Sequence, residues 1–118
     1  MVAEISAQTR RLAEHLSSAA GTALPPEVSH KTKHHIIDTI AAMVSGAKLP
    51  PGERGLAYAG SDADGASVLI GGGRTDPVNA ALANGMSAHA DETDDSHARS
   101  ISHPGCGVVP AVLAVGDL

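Results

Sequence analysis

The near-absence of aromatic residues is the feature that most limits how this chain can fold. Its 118 residues include one tyrosine, Tyr58, and neither phenylalanine nor tryptophan. Aromatic side chains usually supply a large share of the buried area in a small core, and a chain this short is marginally stable even with them. The last residues, Val112 to Leu118, also have the pattern of a helix that lacks a C-cap. We therefore expect the chain to be the front part of a larger protein.

Composition and charge exclude several classes of protein. Apolar residues make up 42% and charged residues 18%, which is too apolar for a disordered tail. The net charge of −5, with no basic stripe, argues against a nucleic-acid partner. No apolar run approaches ~20 residues and no signal peptide is evident, so we expect no membrane partner. A single cysteine excludes a disulfide framework or a multi-cysteine zinc site, and a cytoplasmic location is expected.

Apolar periodicity and paired prolines predict three helices in the first half of the chain. The first runs from Ala3 to about Ala20, with Gly21 as its C-cap. Pro25 and Pro26 open the second helix, which ends at Gly46. Its apolar stripe is predicted from five residues, Ile36, Ile37, Ile40, Ala41 and Val44. Pro50 and Pro51 begin a short third helix that ends at about Ala59.

The second half of the chain begins with a predicted hairpin. The strand-like residues 67–70 precede Gly71, Gly72 and Gly73, which favour a turn. A phosphate loop is the weaker alternative, because the glycines lack a Gly-Lys-Ser/Thr ending and do not run straight into a helix. Asp76 is then predicted to be the N-cap of a helix that continues through at least Ala90. After a polar loop, residues 105–110 lead into a final helix.

Two lesser candidates have ordinary interpretations. His34 and Asp38 are spaced i, i+4 on the second helix, which is typical of a polar pair on a surface or between helices. His35 also points away from the predicted apolar stripe. Cys106, between two glycines, is interpreted as a small buried residue rather than a nucleophile, because no base is near it in sequence.

The segment 89–103 holds four of the 13 acidic residues and three of the seven histidines. A helical wheel puts His89 on the apolar face, level with Leu82 and Met86. If the helix continued, Glu92 and Ser96 would stay near that face. The other acids would turn to the opposite side; they are Asp91, Asp94 and Asp95.

Three hypotheses fit this segment from its residues alone. In the first, it is a solvated helix end with a buried, hydrogen-bonded His89. In the second, it binds a metal, since carboxylates and imidazoles are suitable ligands. In the third, an inward-facing carboxylate, hydroxyl and histidine perform acid–base chemistry. No His-x-x-x-His or EF-hand spacing favours the metal. The residues alone do not rank the third hypothesis above the first.

Several motifs in order resemble the MmgE/PrpD family. The family pattern is an Asn-Gly-x-x-x-His helix, then an Asp-Phe-Asp-Asp-Thr-like segment, and then a His-Pro before a Val-Pro-Ala helix start. The corresponding residues here are 80–89, 92–97, 103–104 and 108–111. The N-terminal region, with its Pro-Pro-Glu at 25–27 and Asp-Thr-Ile at 38–40, is also similar to this family.

This resemblance implies a mainly α fold. Residues 1–118 would be the N-terminal portion of the family's large all-helical domain, with one short β-hairpin near 67–75. The rest of that domain and a smaller α/β lid domain would be absent. The family includes 2-methylcitrate dehydratase of propionate catabolism, cis-aconitate decarboxylase and iminodisuccinate epimerase. Its members are usually homodimers that act on small di- or tricarboxylates without a metal or organic cofactor.

The resemblance also implies which residues form the site. Its catalytic carboxylate, hydroxyl and histidine fall on Glu92, Ser96 and His103. Substrate binding would involve four further residues of the same segment, His89, Asp95, His97 and Arg99. The family often has Asp where Glu92 stands and an aromatic where Thr93 stands, so the exact activity stays open. The rival hypotheses are a catalytically inactive helical remnant or interaction module, and a small acidic metal-binding protein.

Overall fold

The computed structural model describes residues 5–19 and 21–116 and is mainly α-helical, as expected. In chain order the elements are α1 (Ala7–Ala19), α2 (Pro26–Gly46), α3 (Pro50–Ala59), β1 (Ser67–Leu69), β2 (Gly73–Thr75), α4 (Pro77–Ala88) and α5 (Pro104–Gly116). They divide into two compact units, Met1–His30 and Lys31–Leu118. Within the described ranges, no helix combines the length and apolar character needed to cross a membrane.

Helix α1, in the first unit, is shorter than its apolar pattern predicts. The predicted ends, Ala3 and Ala20, lie outside the described residues. Ile5 precedes the helix, because the Ser6 hydroxyl accepts a hydrogen bond from the Thr9 backbone N–H at 3.1 Å and caps the first turn at Ala7. Past the other end, the Thr22 hydroxyl donates to the Ser18 carbonyl at 3.0 Å, so a threonine stabilises the last turn beside the predicted C-cap Gly21.

Helix α2 has the predicted bounds, but it buries a different face. The buried residues are Thr39, Ala42, Met43 and Gly46, whereas Ile37 and Val44 are 65% and 58% exposed. The predicted stripe was therefore wrong, although its members Ile36 and Ile40 are partly buried. The physical reason is distance: a Cβ on Gly46 would overlap the Ser87 carbonyl oxygen of α4. Such a close approach admits only a face of small residues around Met43.

Helix α4 lies at the centre of the second unit. Small residues make this possible, because Ala80 and Ala83 are fully buried and form one apolar cluster with Leu69 and Ala114. A second cluster joins α2, α4 and α5 through Met43, Ala88 and Val109. Helix α3 also approaches α4 at a glycine, Gly55, whose added Cβ would lie 3.3 Å from the Ala83 Cα atom.

The hairpin forms where the glycine cluster predicts it. Strands β1 and β2 pair antiparallel with Ser67 opposite Thr75 and Leu69 opposite Gly73. Gly71 and Gly73 have φ angles of 101° and 95°, which an L-residue adopts only with strain. The buried Asn84 side chain attaches this hairpin to α4: it donates to the Val68 carbonyl at 2.9 Å and accepts from the Ile70 N–H at 2.8 Å.

Helix α4 begins as predicted but ends earlier. The Asp76 carboxylate accepts from the backbone N–H groups of Val78 and Asn79, at 3.0 and 3.1 Å, and Pro77 follows it in the first turn. The helix stops at Ala88 rather than continuing through Ala90, with His89 as its C-cap. A wheel drawn past Ala88 therefore says nothing about the side chains of the following loop.

Helix α5 begins earlier than predicted. Residues 105–110 are already helical, and Pro104 occupies the first turn, where proline needs no hydrogen-bonded N–H. Pro110 lies inside the helix and is almost fully buried. It removes the hydrogen bond that the Cys106 carbonyl would otherwise accept within the helix. The predicted helical end at Leu118 lies outside the described residues.

The capping carboxylate of Asp76 makes stability dependent on pH. Its pKa is lowered, chiefly because the carboxylate accepts the Asn79 N–H. A folded pKa below the unfolded one adds stability above the unfolded pKa, which is lost as the pH falls through the folded pKa. At neutral pH we expect melting temperatures in the order wild type, then Asp76→Asn, then Asp76→Ala. The gap between wild type and Asp76→Asn should close on acidification; thermal melts that keep it constant would contradict this.

The contact at Gly46 should tolerate no side chain. We expect Gly46→Ala to lower the free energy of unfolding by roughly 1–3 kcal/mol or more, because the new Cβ meets backbone atoms of α4. Gly107→Ala is the matched control: it lies within α5, nothing lies near its Cβ, and it should gain about 0.5–1 kcal/mol. Urea unfolding of both variants measures this, and equal stability of Gly46→Ala and wild type would refute the packing argument.

Candidate functional site

The candidate site is the loop 89–103, which joins the end of α4 to the start of α5. The loop is held in place at several points. His97 and Ser102 form an isolated antiparallel bridge, in which the His97 N–H donates to the Ser102 carbonyl at 2.9 Å. At the other side of the loop, the Ser45 hydroxyl of α2 donates to the Asp91 carboxylate at 2.7 Å. These contacts restrict the positions of the residues between them.

A buried carboxylate, that of Asp94, lies between two histidines. Its side chain is fully inaccessible to solvent, and His89 Nδ1 lies 3.2 and 3.3 Å from its two oxygens. His103 Nδ1 lies 3.4 Å from Asp94 Oδ1, and the two imidazole rings are 5.1 Å apart between centroids. A buried carboxylate is stabilised by such donors. Asp94 thus orients the His89 ring by a hydrogen bond and faces Nδ1 of His103.

His103 has a feature that suits proton transfer. Its Nδ1 is buried and makes no hydrogen bond with any residue that the structure describes, although the Asp94 carboxylate lies 3.4 Å away. The side chain as a whole is 35% exposed, so the ring reaches from the buried carboxylate towards solvent. With Nδ1 facing Asp94, the other ring nitrogen is the one available to an incoming molecule.

Asp95 holds the start of α5. Its Oδ1 accepts the Gly105 N–H at 2.7 Å, which satisfies one of the unpaired donors of the first turn. A Cβ on Gly105 would collide with this carboxylate and with the Thr39 hydroxyl. Asp95 was predicted to bind substrate; the structure gives it a capping role that positions the adjacent His103.

The Cys106 thiol lies against the same carboxylate. Burial raises the pKa of this thiol, and the hydrogen bond and charge of Asp94 raise it further. Its Sγ also donates to the His103 carbonyl at 3.0 Å. Cys106 is thus a protonated thiol at neutral pH, in agreement with its interpretation as other than a nucleophile, although it is half-buried rather than buried.

The wheel assignments of the sequence analysis need correction. His89 is 48% exposed, not buried, and Leu82, which was taken to share its apolar face, is 47% exposed. Asp94, which was predicted to turn away, is the buried acid. Asp91 was also predicted to face outward, but it is half-buried and binds Ser45 of α2, and hydrogen bonds from Thr93 and Ser45 lower its pKa.

The remaining site predictions rest on the family resemblance. Glu92 is exposed with a φ of 56°, and Ser96 is exposed. Among the described contacts, neither of them makes a hydrogen bond or ion pair with His103. His97 Nδ1 lies 2.7 Å from the Ser100 hydroxyl, and Arg99 is exposed. The structure thus brings His89 and His103 together and adds Asp94, which sequence reasoning missed.

An apolar groove in the described part of the chain is separate from the two histidines that face Asp94. It has a volume of about 320 Å³ and an almost entirely apolar lining. The lining residues come from α2, α5 and the loop between α4 and α5; they are Thr32, His35, Ile36, Asp95, Pro104, Gly105, Val108, Val109, Val112 and Leu113. Neither His89 nor His103 is among them, so the groove offers no acid–base group from the cluster.

Comparisons with known proteins agree on one family. The family model described as the MmgE/PrpD N-terminal domain matches residues 10–118. Two relatives, both named cis-aconitate decarboxylase, come from Aspergillus terreus and from its strain NIH 2624 / FGSC A1156. Each is 32% identical over 115 residues, which cover 96% of this chain and 24% of the relative. The chain thus spans about a quarter of their length. No solved structure gives a significant match.

The burial pattern predicts which residue of the loop stabilises the fold. Asp94→Ala should lower the free energy of unfolding by about 1–3 kcal/mol, since it removes a fully buried side chain and the acceptor of the His89 ring. His89→Ala, on a half-exposed side chain, should cost less than this. Glu92→Ala, an exposed acid two residues before Asp94, should change stability by no more than about 0.5 kcal/mol. Chemical denaturation distinguishes them, and a larger loss for Glu92→Ala than for Asp94→Ala would contradict the assignment.

Proposed function

The chain belongs to the MmgE/PrpD family, and on that premise we propose that it forms part of a lyase acting on a small di- or tricarboxylate. Decarboxylation of cis-aconitate is the first candidate reaction, because both relatives reported above have that name. Dehydration of 2-methylcitrate is the other candidate within the family. The observation that supports acid–base chemistry is the buried Asp94 carboxylate, which faces Nδ1 of both His89 and His103.

Both reactions develop negative charge next to a substrate carboxylate. A group that donates or accepts a proton at that carbon or at the leaving oxygen lowers the barrier. His103 is proposed for this role, because a histidine exchanges protons near neutral pH and its ring bridges the buried carboxylate and solvent. Asp94 holds the ring in place and stabilises the imidazolium that forms when the ring takes up a proton.

Glu92 and Ser96 enter the proposal through the family resemblance. Both are exposed on the same loop as His103, where they are accessible to a substrate. A carboxylate and a hydroxyl in that position can orient the substrate or hydrogen-bond one of its hydroxyl groups. The substrate-binding roles of His89, Asp95, His97 and Arg99 are proposed on the same basis.

The substrate's carboxylates require positive charge that this segment supplies only in part. Arg99 is the one lysine or arginine between residues 89 and 103. A tricarboxylate needs several cationic or hydrogen-bonding groups to be held and to stabilise the charge that develops. We propose that the remaining groups come from parts of the family's chain beyond the matched quarter, in a cytoplasmic homodimer that uses neither metal nor organic cofactor.

The test of this function is the His103→Ala variant in the full product of the gene that encodes these residues. We expect kcat to fall by roughly 10²-fold or more, the usual scale for an acid–base group, while the melting temperature changes little. Release of CO₂ from cis-aconitate and loss of water from 2-methylcitrate are assayed side by side to identify the reaction. Asp64→Asn, an exposed acid in the turn before β1, is the control and should retain full activity.

Two outcomes would contradict the proposal. If the wild-type protein turns over neither substrate, the proposed substrate class is wrong. If His103→Ala keeps full turnover, His103 is not the acid–base group, although the chain still belongs to the family.

A further inference from the structure

Three potential metal ligands of different chemistry converge at the end of α4. They are a ring nitrogen of His89, a carboxylate oxygen of Asp94 and the Sγ of Cys106, and these atoms all lie within 4.8 Å of one another. Each comes from a different part of the chain: the C-cap of α4, the loop, and the first turn of α5. No fixed sequence spacing links such ligands, so motif inspection does not find them.

The distances between His89 and Asp94 match those of a tetrahedral zinc site. Zinc–nitrogen and zinc–oxygen bonds of about 2.0 Å, with a zinc–sulfur bond of about 2.3 Å, place neighbouring ligand atoms about 3.3–3.5 Å apart. His89 Nδ1 already lies 3.2 and 3.3 Å from the two Asp94 oxygens. The thiol needs only a shift of about an ångström to reach the same separation.

A second observation points to a missing partner at this place. His103 Nδ1 is buried and has no hydrogen-bond partner among residues 5–19 and 21–116, yet it lies 3.4 Å from the Asp94 oxygen that also faces His89. Buried polar nitrogens are almost always paired in folded proteins. His103 is not one of the three convergent residues, but a water molecule in the open fourth position of an ion bound by them would give its Nδ1 the partner it lacks.

We propose that His89, Asp94 and Cys106 form a binding site for a divalent transition-metal ion of the zinc class, with a water molecule as the fourth ligand. A set of one imidazole, one carboxylate and one thiolate suits zinc or cobalt, whereas calcium and magnesium prefer oxygen ligands alone. The negative charges of Asp94 and Asp95, both of which act on Cys106, favour a cation here. The ion would bind the Asp94 carboxylate that faces His103 and so oppose the acid–base role of that histidine; only this consequence rests on the proposed function.

Cobalt(II) is the probe for the test, because a tetrahedral cobalt–thiolate centre has a characteristic charge-transfer band and intense d–d bands. Titration of the full product of the gene that encodes these residues with cobalt should produce both, and zinc should displace them while magnesium and calcium should not. We expect Cys106→Ser to abolish the charge-transfer band and His89→Asn to weaken binding about tenfold or more. His97→Asn, a histidine of the same loop bonded instead to Ser100, is the matched control and should bind as wild type.

A measurement without mutation guards against variants that fail to fold. Zinc should slow the alkylation of Cys106 by iodoacetamide in the wild-type chain, whereas magnesium should not. The proposal is overturned by the absence of a thiolate band in wild type, by its persistence in Cys106→Ser, by equal loss in His97→Asn, or by unprotected alkylation. None of these readouts depends on lyase activity, so failure here is distinguishable from failure of the proposed function.

Discussion

The close approach of α4 to its neighbours is the constraint on which the other features of the second unit depend. With one tyrosine and no other aromatic residue, burial has to come from short distances between helices rather than from large side chains. The same close packing extends to the candidate site at Gly85, because a Cβ there would lie 3.0 Å from the Cys106 carbonyl of α5. The first turn of α5 therefore lies against the last turns of α4, and the loop between them returns His103 to the vicinity of His89.

Local signals in the sequence predicted much of the fold. Asp76 before Pro77 identified a helix start because the cap is a contact between residues adjacent in sequence. The Gly71–Gly73 turn was predictable for the same reason. The buried face of α2 was not predictable, because the isoleucines of this helix are more hydrophobic than Thr39 and Gly46, two of the residues that are buried. Which face is buried depended on the backbone of α4, more than 40 residues away.

The sequence predicted which segment holds the site, but not how the side chains of that segment are arranged. The density of acids and histidines between residues 89 and 103 indicated the right loop. Helical periodicity does not apply beyond Ala88, where the helix ends. It therefore predicted a buried His89 and an exposed Asp94, whereas Asp94 is the buried residue of the two. Beyond a helix end, side-chain direction is set by non-local hydrogen bonds such as those of Asp91 with Ser45 and Asp95 with Gly105. The periodicity of a single sequence does not reveal such non-local hydrogen bonds.

The hydrogen bonds of Asn84 also protect the chain chemically. Asn84 is followed by Gly85, the dipeptide in which the backbone nitrogen most readily attacks the side-chain amide carbon, with loss of ammonia through a succinimide. In the fold, the amide is held by Val68 and Ile70 and the glycine nitrogen is fixed in a helix, so the ring cannot close. Deamidation at this position therefore proceeds from the unfolded chain. The isoaspartate content at residue 84 therefore increases with the time that a population of these molecules has spent unfolded.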